Sequence, residues 1–377
     1  LMVYLLVITA LFLAYSNGSN DIFKSVATLY GSNTTSFKSA LSWGAITSLL
    51  GSLTAIFLMS KIVSNFSGSG LVPEALAQTP EFAISITLAA AATVFLATKI
   101  GMPISTTHGL IGSIAGAGIL AVGSDFNFST FGSTLLLPLL LSPIAAAIFS
   151  PLVYRMLSGL RKKLKVERDT CVCVGKEYIP VAEYVNNQKC DCSSPEIETS
   201  TLKISDIEDC REVYRGRFVG VSTDQIINFS HFLSAGFVGF SRSLNDTQKI
   251  VGFLLISNFV GVTWGMLFVG LAMVLGGLLN SKKVANTMSK KITPMNQGQG
   301  FSANMVTGGL VSFASLIGVP VSTTHVAVGS IFGIGTVTKK SDLAMIKRIL
   351  YSWILTLPTA FAFGMFFYWL LTNFKLV

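Results

Sequence analysis

Gly101-Met-Pro-Ile-Ser-Thr-Thr-His108 recurs in the second part of the chain as Gly318-Val-Pro-Val-Ser-Thr-Thr-His325. Six of the eight positions are identical, and the other two exchange one apolar residue for another. A second pair, Asn20-Asp21-Ile-Phe-Lys24 and Asn245-Asp246-Thr-Gln-Lys249, has nearly the same separation and keeps the same order within each half. Two motif pairs at nearly equal offsets mark an internal duplication. The halves are residues 1–159 and 218–377, with a polar insert at 160–217 between them.

The composition says where such a duplication sits. Of 377 residues, 51% are hydrophobic and 12% charged, about half the charged share of a soluble domain. Leu135–Tyr154 and Ile349–Leu371 are continuous apolar stretches, and about 20 such residues span a bilayer core. These features predict an all-α polytopic membrane protein. They exclude a soluble enzyme, a nucleic-acid-binding domain and a disordered chain. A β-barrel would show strands of ~10 residues with alternating polarity. Residues 1–16 are apolar with no basic segment before them, so they read as a membrane helix and not a removed leader.

Charge gives the orientation. The net charge of +9 is concentrated in loops, at Arg155, Arg161–Lys165, Lys282, Lys283, Lys290, Lys291, Lys339, Lys340, Lys347 and Arg348. That is the positive-inside pattern, and it predicts a cytoplasmic (inner) membrane protein with the insert inside and both termini outside. Equivalent loops differ in charge. Gly123–Gly132 has one acid and no base, whereas Lys339–Arg348 carries four bases; Lys61–Glu81 is nearly base-free, whereas Asn280–Thr293 carries four lysines. Equivalent loops on opposite sides mean repeats of inverted topology, an architecture of secondary transporters.

Each Ser-Thr-Thr-His segment lies between two apolar arms, 82–100 with 104–122 and 300–317 with 321–337. If the arms crossed the membrane fully, the motifs would lie ~30 Å apart. Re-entrant helical hairpins entering from opposite sides would instead meet at the midplane, where polar backbone must be protein-buried or line a cavity. Hairpins are the expectation here. Pro103 and Pro320 suit a first helical turn and Ser105 and Ser322 a cap, so each motif reads as the start of a second arm.

A helix N-terminus offers free N–H donors and a positive dipole end, which bind anions such as phosphate or sulfate. Ser105, Thr106, Thr107, Ser322, Thr323 and Thr324 would complete such a cage; alternatively, these hydroxyls only satisfy freed backbone groups in kinked helices. Asn20-Asp21 follows an apolar run and the breaker Ser16-Asn-Gly-Ser19, which predicts a broken helix. Carboxylate, amide and freed carbonyl oxygens suit a hard cation. Sodium at Asn20, Asp21, Asn245 and Asp246 is the first expectation and a proton the second. A buried ion pair is the competing reading, since Asp21 and Lys24, like Asp246 and Lys249, are three apart on one helical face. Lys24 and Lys249 could also touch an anion. His108 and His325 could tune it or simply pack. Gln297-Gly-Gln-Gly300 reads as a turn and helix start.

The insert holds all five cysteines. Cys171, Cys173, Cys190 and Cys192 form two Cys-x-Cys pairs that could bind zinc or an iron–sulfur centre, with Cys210 left over. Reduced, solvated thiols are the alternative.

Together these motifs resemble the PiT family of inorganic phosphate transporters, which carries a duplicated Gly-Ala-Asn-Asp signature and a proline-led Ser-Thr-Thr-His segment in each half. Here the signatures read Gly18-Ser19-Asn20-Asp21 and Ser243-Leu244-Asn245-Asp246, the second without its glycine. Thr247-Gln248-Lys249 is similar to the bacterial Gly-Gln-Lys form, which makes Gln248 an accessory candidate. The resemblance implies phosphate uptake coupled to sodium or protons, a central anion site, Asp21 and Asp246 as essential acids, and a homodimer in the lipid bilayer. Sulfate is a further substrate that it implies. Two other classes stay open on the residues alone. A Ser/His/Asp hydrolase or acyltransferase would need asymmetric roles that a duplication does not favour. An anion channel would leave the Asn-Asp pairs unexplained.

Overall fold

In the computed structural model, which describes residues 1–57, 66, 68, 70–180, 196–257 and 259–373, Leu1–Arg155 and His231–Val377 form one compact unit and Met156–Ser230 a second. The first unit contains α1 (Met2–Ser25), α2 (Phe37–Thr54), α3 (Pro80–Ile100), α4 (Thr106–Val122) and most of α5 (Leu137–Lys163) from the first half. From the second half it takes most of α6 (Thr223–Ile256), then α7 (Val262–Asn280), α8 (Lys282–Lys290), α9 (Gln297–Leu316), α10 (Thr323–Thr338) and α11 (Leu343–Asn373). Aligning Asp21 with Asp246 carries α2 onto α7, and aligning Ser105 with Ser322 carries α3 and α4 onto α9 and α10. The duplication seen in two motifs therefore extends element by element. Six described helical segments are long and apolar enough to cross a membrane: Met2–Ser25, Pro80–Ile100, Thr106–Asp125, Phe128–Lys163, Val262–Asn280 and Leu343–Asn373.

The halves interleave. A Cβ placed on Gly276 of α7 would lie 2.0 Å from the Tyr15 carbonyl of α1, and one on Gly51 of α2 would lie 2.2 Å from the Phe240 carbonyl of α6. The alignment that pairs Asp21 with Asp246 also pairs Tyr15 with Phe240 and Gly51 with Gly276. The same exchange recurs where Gly116 of α4 meets the Phe361 carbonyl of α11 and Gly333 of α10 meets the Ala147 carbonyl of α5. Small residues let helix backbones approach closely where lipid supplies no hydrophobic drive. A contact and its half-swapped twin are what a two-fold relation generates.

The arms end where the sequence says. Gly101 and Gly318 sit at φ +80° and +73°, the left-handed region, and close the first arm of each hairpin. Ser105 and Ser322 cap the second arms, accepting from the His108 and His325 amides. Pro103 and Pro320 lie before these caps and not in the first turn. A proline holds the residue before it out of helix, so each tip stays extended up to the serine. Gln297 opens α9 behind a capping box made by Asn296 and Gln299.

One expected break is absent. Helix α1 runs unbroken through Ser16-Asn-Gly-Ser19 to Ser25, and the chain leaves the helix only at Val26. A glycine in a helix costs only about 1 kcal/mol, and Gly18 offsets that by admitting the Met273 carbonyl, 1.8 Å from where its Cβ would stand. The Ser19 hydroxyl bonds back to the Tyr15 carbonyl. Helix α6 is likewise continuous through Asn245-Asp246. The carbonyls available to a cation thus come from the hairpin tips.

The second unit also departs from an all-α chain. It holds a three-stranded antiparallel sheet of order β2-β1-β3, built from β1 (Thr170–Pro180), β2 (Glu196–Asp206) and β3 (Phe218–Ser222). Cys171 and Cys173 are buried while Val174 is exposed, the alternation of a half-buried strand. With Cys210 and Tyr214 they make a small core.

Candidate functional site

The two hairpin tips touch. The Thr107 hydroxyl donates to the Val321 carbonyl (3.3 Å) and the Thr324 hydroxyl to the Ile104 carbonyl (3.1 Å). The His108 and His325 rings lie 4.4 Å apart. Hairpins entering from opposite sides would make such a contact, although the described arms of the first hairpin are each long and apolar enough to cross a membrane.

Two buried lysines tie the junction together in matching ways. Lys24 Nζ pairs with the Asp21 carboxylate and donates to the Ile104 carbonyl (2.7 Å) and Thr324 Oγ1 (2.8 Å). Lys249 Nζ donates to Asp246 Oδ1 (3.0 Å), the Val321 carbonyl (3.1 Å) and Thr107 Oγ1 (2.8 Å). Each ammonium thus holds its own carboxylate, a tip carbonyl and a threonine of the other half. The carbonyl on Lys24 comes from the first tip and that on Lys249 from the second. The buried ion pairs foreseen from the spacing are present, and they reach further than that spacing could show.

The asparagines hold the first arms. Asn20 donates to Thr98 Oγ1 (2.7 Å) and the Met102 carbonyl (3.1 Å) and accepts from the Ile104 amide (3.2 Å). Asn245 donates to Ser315 Oγ (2.8 Å), and Ser315 is the counterpart of Thr98. The Asn245 Oδ1 atom is buried with no hydrogen-bond partner among the described residues. Asn20 therefore works as a tip clamp here, whereas Asn245 keeps an acceptor free. Gln248 is buried on α6 one position before Lys249. His325 stacks on Trp353 at 3.7 Å, and the Trp353 indole donates to the Pro103 carbonyl (3.2 Å).

Symmetry fails again one helical turn before the Asn-Asp pair. Position 17 is Asn, and its counterpart when Asp21 is aligned with Asp246 is Arg242. Asn17 accepts from the Thr106 hydroxyl (2.9 Å), and its amide nitrogen is buried without a partner among the described residues. Arg242 is fully buried and donates to Thr323 Oγ1 from Nε (3.1 Å) and Nη2 (3.0 Å), to Thr324 Oγ1 (3.1 Å) and to the Asp21 carbonyl (3.1 Å). Its Nη2 lies 3.7 Å from Asp21 Oδ2. The motif search passed over both residues. Extending the alignment of the halves outward from the Asn-Asp pair was the signal that would have found them.

Among the described residues, the buried charges are Asp21, Asp246, Lys24, Lys249 and Arg242. Three cations against two carboxylates leave one positive charge uncompensated. A net buried charge is costly, so this junction is a favourable environment for an anion. Of the six hydroxyls expected at the anion cage, those of Thr107, Thr323 and Thr324 contact these charges, that of Thr106 turns to Asn17, and those of Ser105 and Ser322 cap α4 and α10, two helix N-termini whose dipoles add to the same field.

A family model described as the phosphate transporter family matches residues 4–364. The chain belongs to the phosphate transporter family. Two curated relatives carry the name "Putative phosphate permease". The one from Pyrococcus furiosus is 27% identical over 92% of this chain and 91% of its own length, and the one from Haemophilus influenzae is 27% identical over 98% and 96%. A solved structure titled "The sodium-dependent phosphate transporter" shares the fold, with a TM-score of 0.74 at 22% identity over 98% of this chain and 99% of that one. The resemblance drawn from the paired motifs thus holds over the whole chain, which is a multi-pass membrane protein of a transporter family. Transporters of this class are not enzymes, and the hydrolase or acyltransferase reading is set aside.

The cysteines of this phosphate transporter family member arrange differently from the expected two pairs. Cys173 forms a disulfide with Cys210, the cysteine left over in the sequence, and Cys171 is free and buried. The sulfurs of these three lie within 4.8 Å of one another. Cys190 and Cys192 fall outside the described residues. A disulfide sulfur is no thiolate, so Cys173 is not a zinc or iron–sulfur ligand in this form. Neighbours in sequence were the wrong guide, because the short helix Ile207–Val213 carries Cys210 back against β1.

Proposed function

We propose that this chain moves inorganic phosphate across the membrane as a secondary active transporter, using the junction of the two hairpin tips as its substrate site. The observation that carries this reading is the surplus positive charge at that junction, where Arg242 has no half-swapped counterpart. In this reading Ser105–Thr107 and Ser322–Thr324 hold the anion, with Arg242 supplying charge and the Asn17 amide a free donor. Alternating access would break the two tip-to-tip hydrogen bonds in turn as the inverted halves rock about the site. Asp21 and Asp246 serve a coupling cation. Sodium fills that role if Lys24 and Lys249 move off the carboxylates as it enters; otherwise a proton does. The loop lysines and arginines argue for the insert on the cytoplasmic side and both termini outside, and the Cys173–Cys210 disulfide, a bond rare in a reducing compartment, argues the other way. A homodimer in the cytoplasmic membrane belongs to the same reading through the family resemblance.

The test is uptake of radiolabelled phosphate into proteoliposomes under an inward sodium gradient, an equal potassium gradient and a pH gradient, each with and without excess sulfate. Phosphate accumulation that sulfate does not block supports the reading, and the gradient that drives it names the coupling ion. Block by sulfate would move the substrate. Folded protein that accumulates nothing under any gradient would refute active transport.

A further inference from the structure

We propose that Lys24 and Lys249 act as tethered cations, occupying the positions a sodium ion would take, so that phosphate binds without sodium. The inference rests on the phosphate reading above and concerns what fills the cation positions of that site.

The ligand sets argue for it. Each ammonium is surrounded by one carboxylate oxygen, one backbone carbonyl oxygen and one threonine hydroxyl. This is an all-oxygen set of the hard-cation type. The carbonyls of Ile104 and Val321 come from the extended tips, because α1 and α6 run continuously past the carboxylates and keep their own carbonyls in the helical ladder. An ammonium has three donors and no acceptor, and three oxygens at each site use all of them. Lys249 is also covered by the Phe66 ring, 5.6 Å from its Nζ. Neither lysine has a donor left for an anion, which separates their role from that of Arg242.

Charge balance points the same way. The lysines pair with Asp21 and Asp246 one for one; Arg242 shares Asp21 at 3.7 Å, and the one surplus positive charge is left for the substrate. A sodium ion added at each carboxylate would raise the buried surplus from one positive charge to three. It would also have to evict an ammonium that already satisfies the same oxygens.

The experiment is phosphate self-exchange in proteoliposomes of the full chain, loaded with unlabelled phosphate and given labelled phosphate outside, with equal sodium or equal choline on both sides. No gradient is present, so the salt acts only on binding and translocation. The wild-type rate is expected to agree within about twofold between the salts, below the usual 5–150-fold coupling between linked ligands. Lys24→Ala and Lys249→Ala open the oxygen cages and are expected to make exchange sodium-stimulated by about tenfold. Wild-type exchange stimulated tenfold or more by sodium would overturn the inference and leave phosphate transport standing. Exchanging variants no more sodium-responsive than wild type would also overturn it. No wild-type exchange in either salt would remove the phosphate reading itself. Lys24→Gln and Lys249→Gln keep a hydrogen-bonding chain where alanine destabilises the fold, and the wild-type comparison decides without any variant.

Discussion

Arg242→Gln isolates the surplus charge. The guanidinium holds Thr323 and Thr324 at 3.0–3.1 Å, so an anion received by those hydroxyls lies about 5 Å from the charge. At an effective dielectric of about 20, two unit charges at that separation interact by about 3 kcal/mol. Glutamine returns part of this through a hydrogen bond, which leaves a loss of about 2–3 kcal/mol. Phosphate affinity should fall about 30- to 150-fold. Some stability should go with the guanidinium's hydrogen bonds to Thr323, Thr324 and the Asp21 carbonyl and its ion pair with Asp21, but the variant also removes the surplus buried charge, so the fall in Tm should be partial and the protein should still fold. The assay is equilibrium binding of labelled phosphate to purified protein in detergent, with Tm measured in parallel. A change in Kd below about threefold in folded protein would refute the assignment of the surplus charge to the anion. A large fall in Tm with affinity intact would show Arg242 to be structural.

Three further outcomes follow from the same geometry. Gly51→Ala and Gly276→Ala place a Cβ about as close to twin carbonyls, so each should cost about 1–3 kcal/mol and lower Tm by similar amounts; Gly132→Ala, with nothing within 4 Å of its Cβ, should leave Tm unchanged, and unequal twins would undo the two-fold argument. Asp21→Asn and Asp246→Asn each leave a buried lysine without its carboxylate, and both should abolish phosphate exchange; wild-type exchange in either variant would remove that carboxylate from the mechanism. Peptide mapping without reductant should recover Cys173 linked to Cys210, and Cys171, whose thiol burial pushes up, should alkylate slowly at pH 7; fast labelling of Cys171 or a different linkage would reject the arrangement around β1.

Much of this was legible in the sequence because duplication makes every motif a measurement repeated. The hairpin arms expected at 82–100 and 300–317 match Pro80–Ile100 and Gln297–Leu316, since glycine stops and serine caps act locally. What escaped notice was set by tertiary contacts. Gly18 looked like a helix breaker because its reason for being there, the Met273 carbonyl, lies in the other half of the chain. The lysines were seen to pair with their own aspartates, but an offset within the chain says nothing of how one tip registers against the other. Arg242 passed unnoticed because a search for matching residues ignores the position that differs. The sheet in the insert hid in a polar composition, where alternation over Thr170–Val174 was the only cue.

The interleaving of the halves sets a timetable for synthesis. Helix α1 ends at Ser25 and docks on α7, which begins only at Val262. At about 5–20 residues per second, α1 waits roughly 10–50 s for its partner. For about the first 4–16 s of that interval, until Thr98–Thr106 is made, it carries Asn17, Asn20, Asp21 and Lys24 into lipid with none of their distant ligands present, and the second-half ligands come later still. The Asp21–Lys24 pair needs nothing but the helix itself, so the two charges arrive already cancelling each other. The contact that later anchors the finished site is thus also what makes the nascent helix tolerable to the membrane while the rest of the chain is still being synthesised.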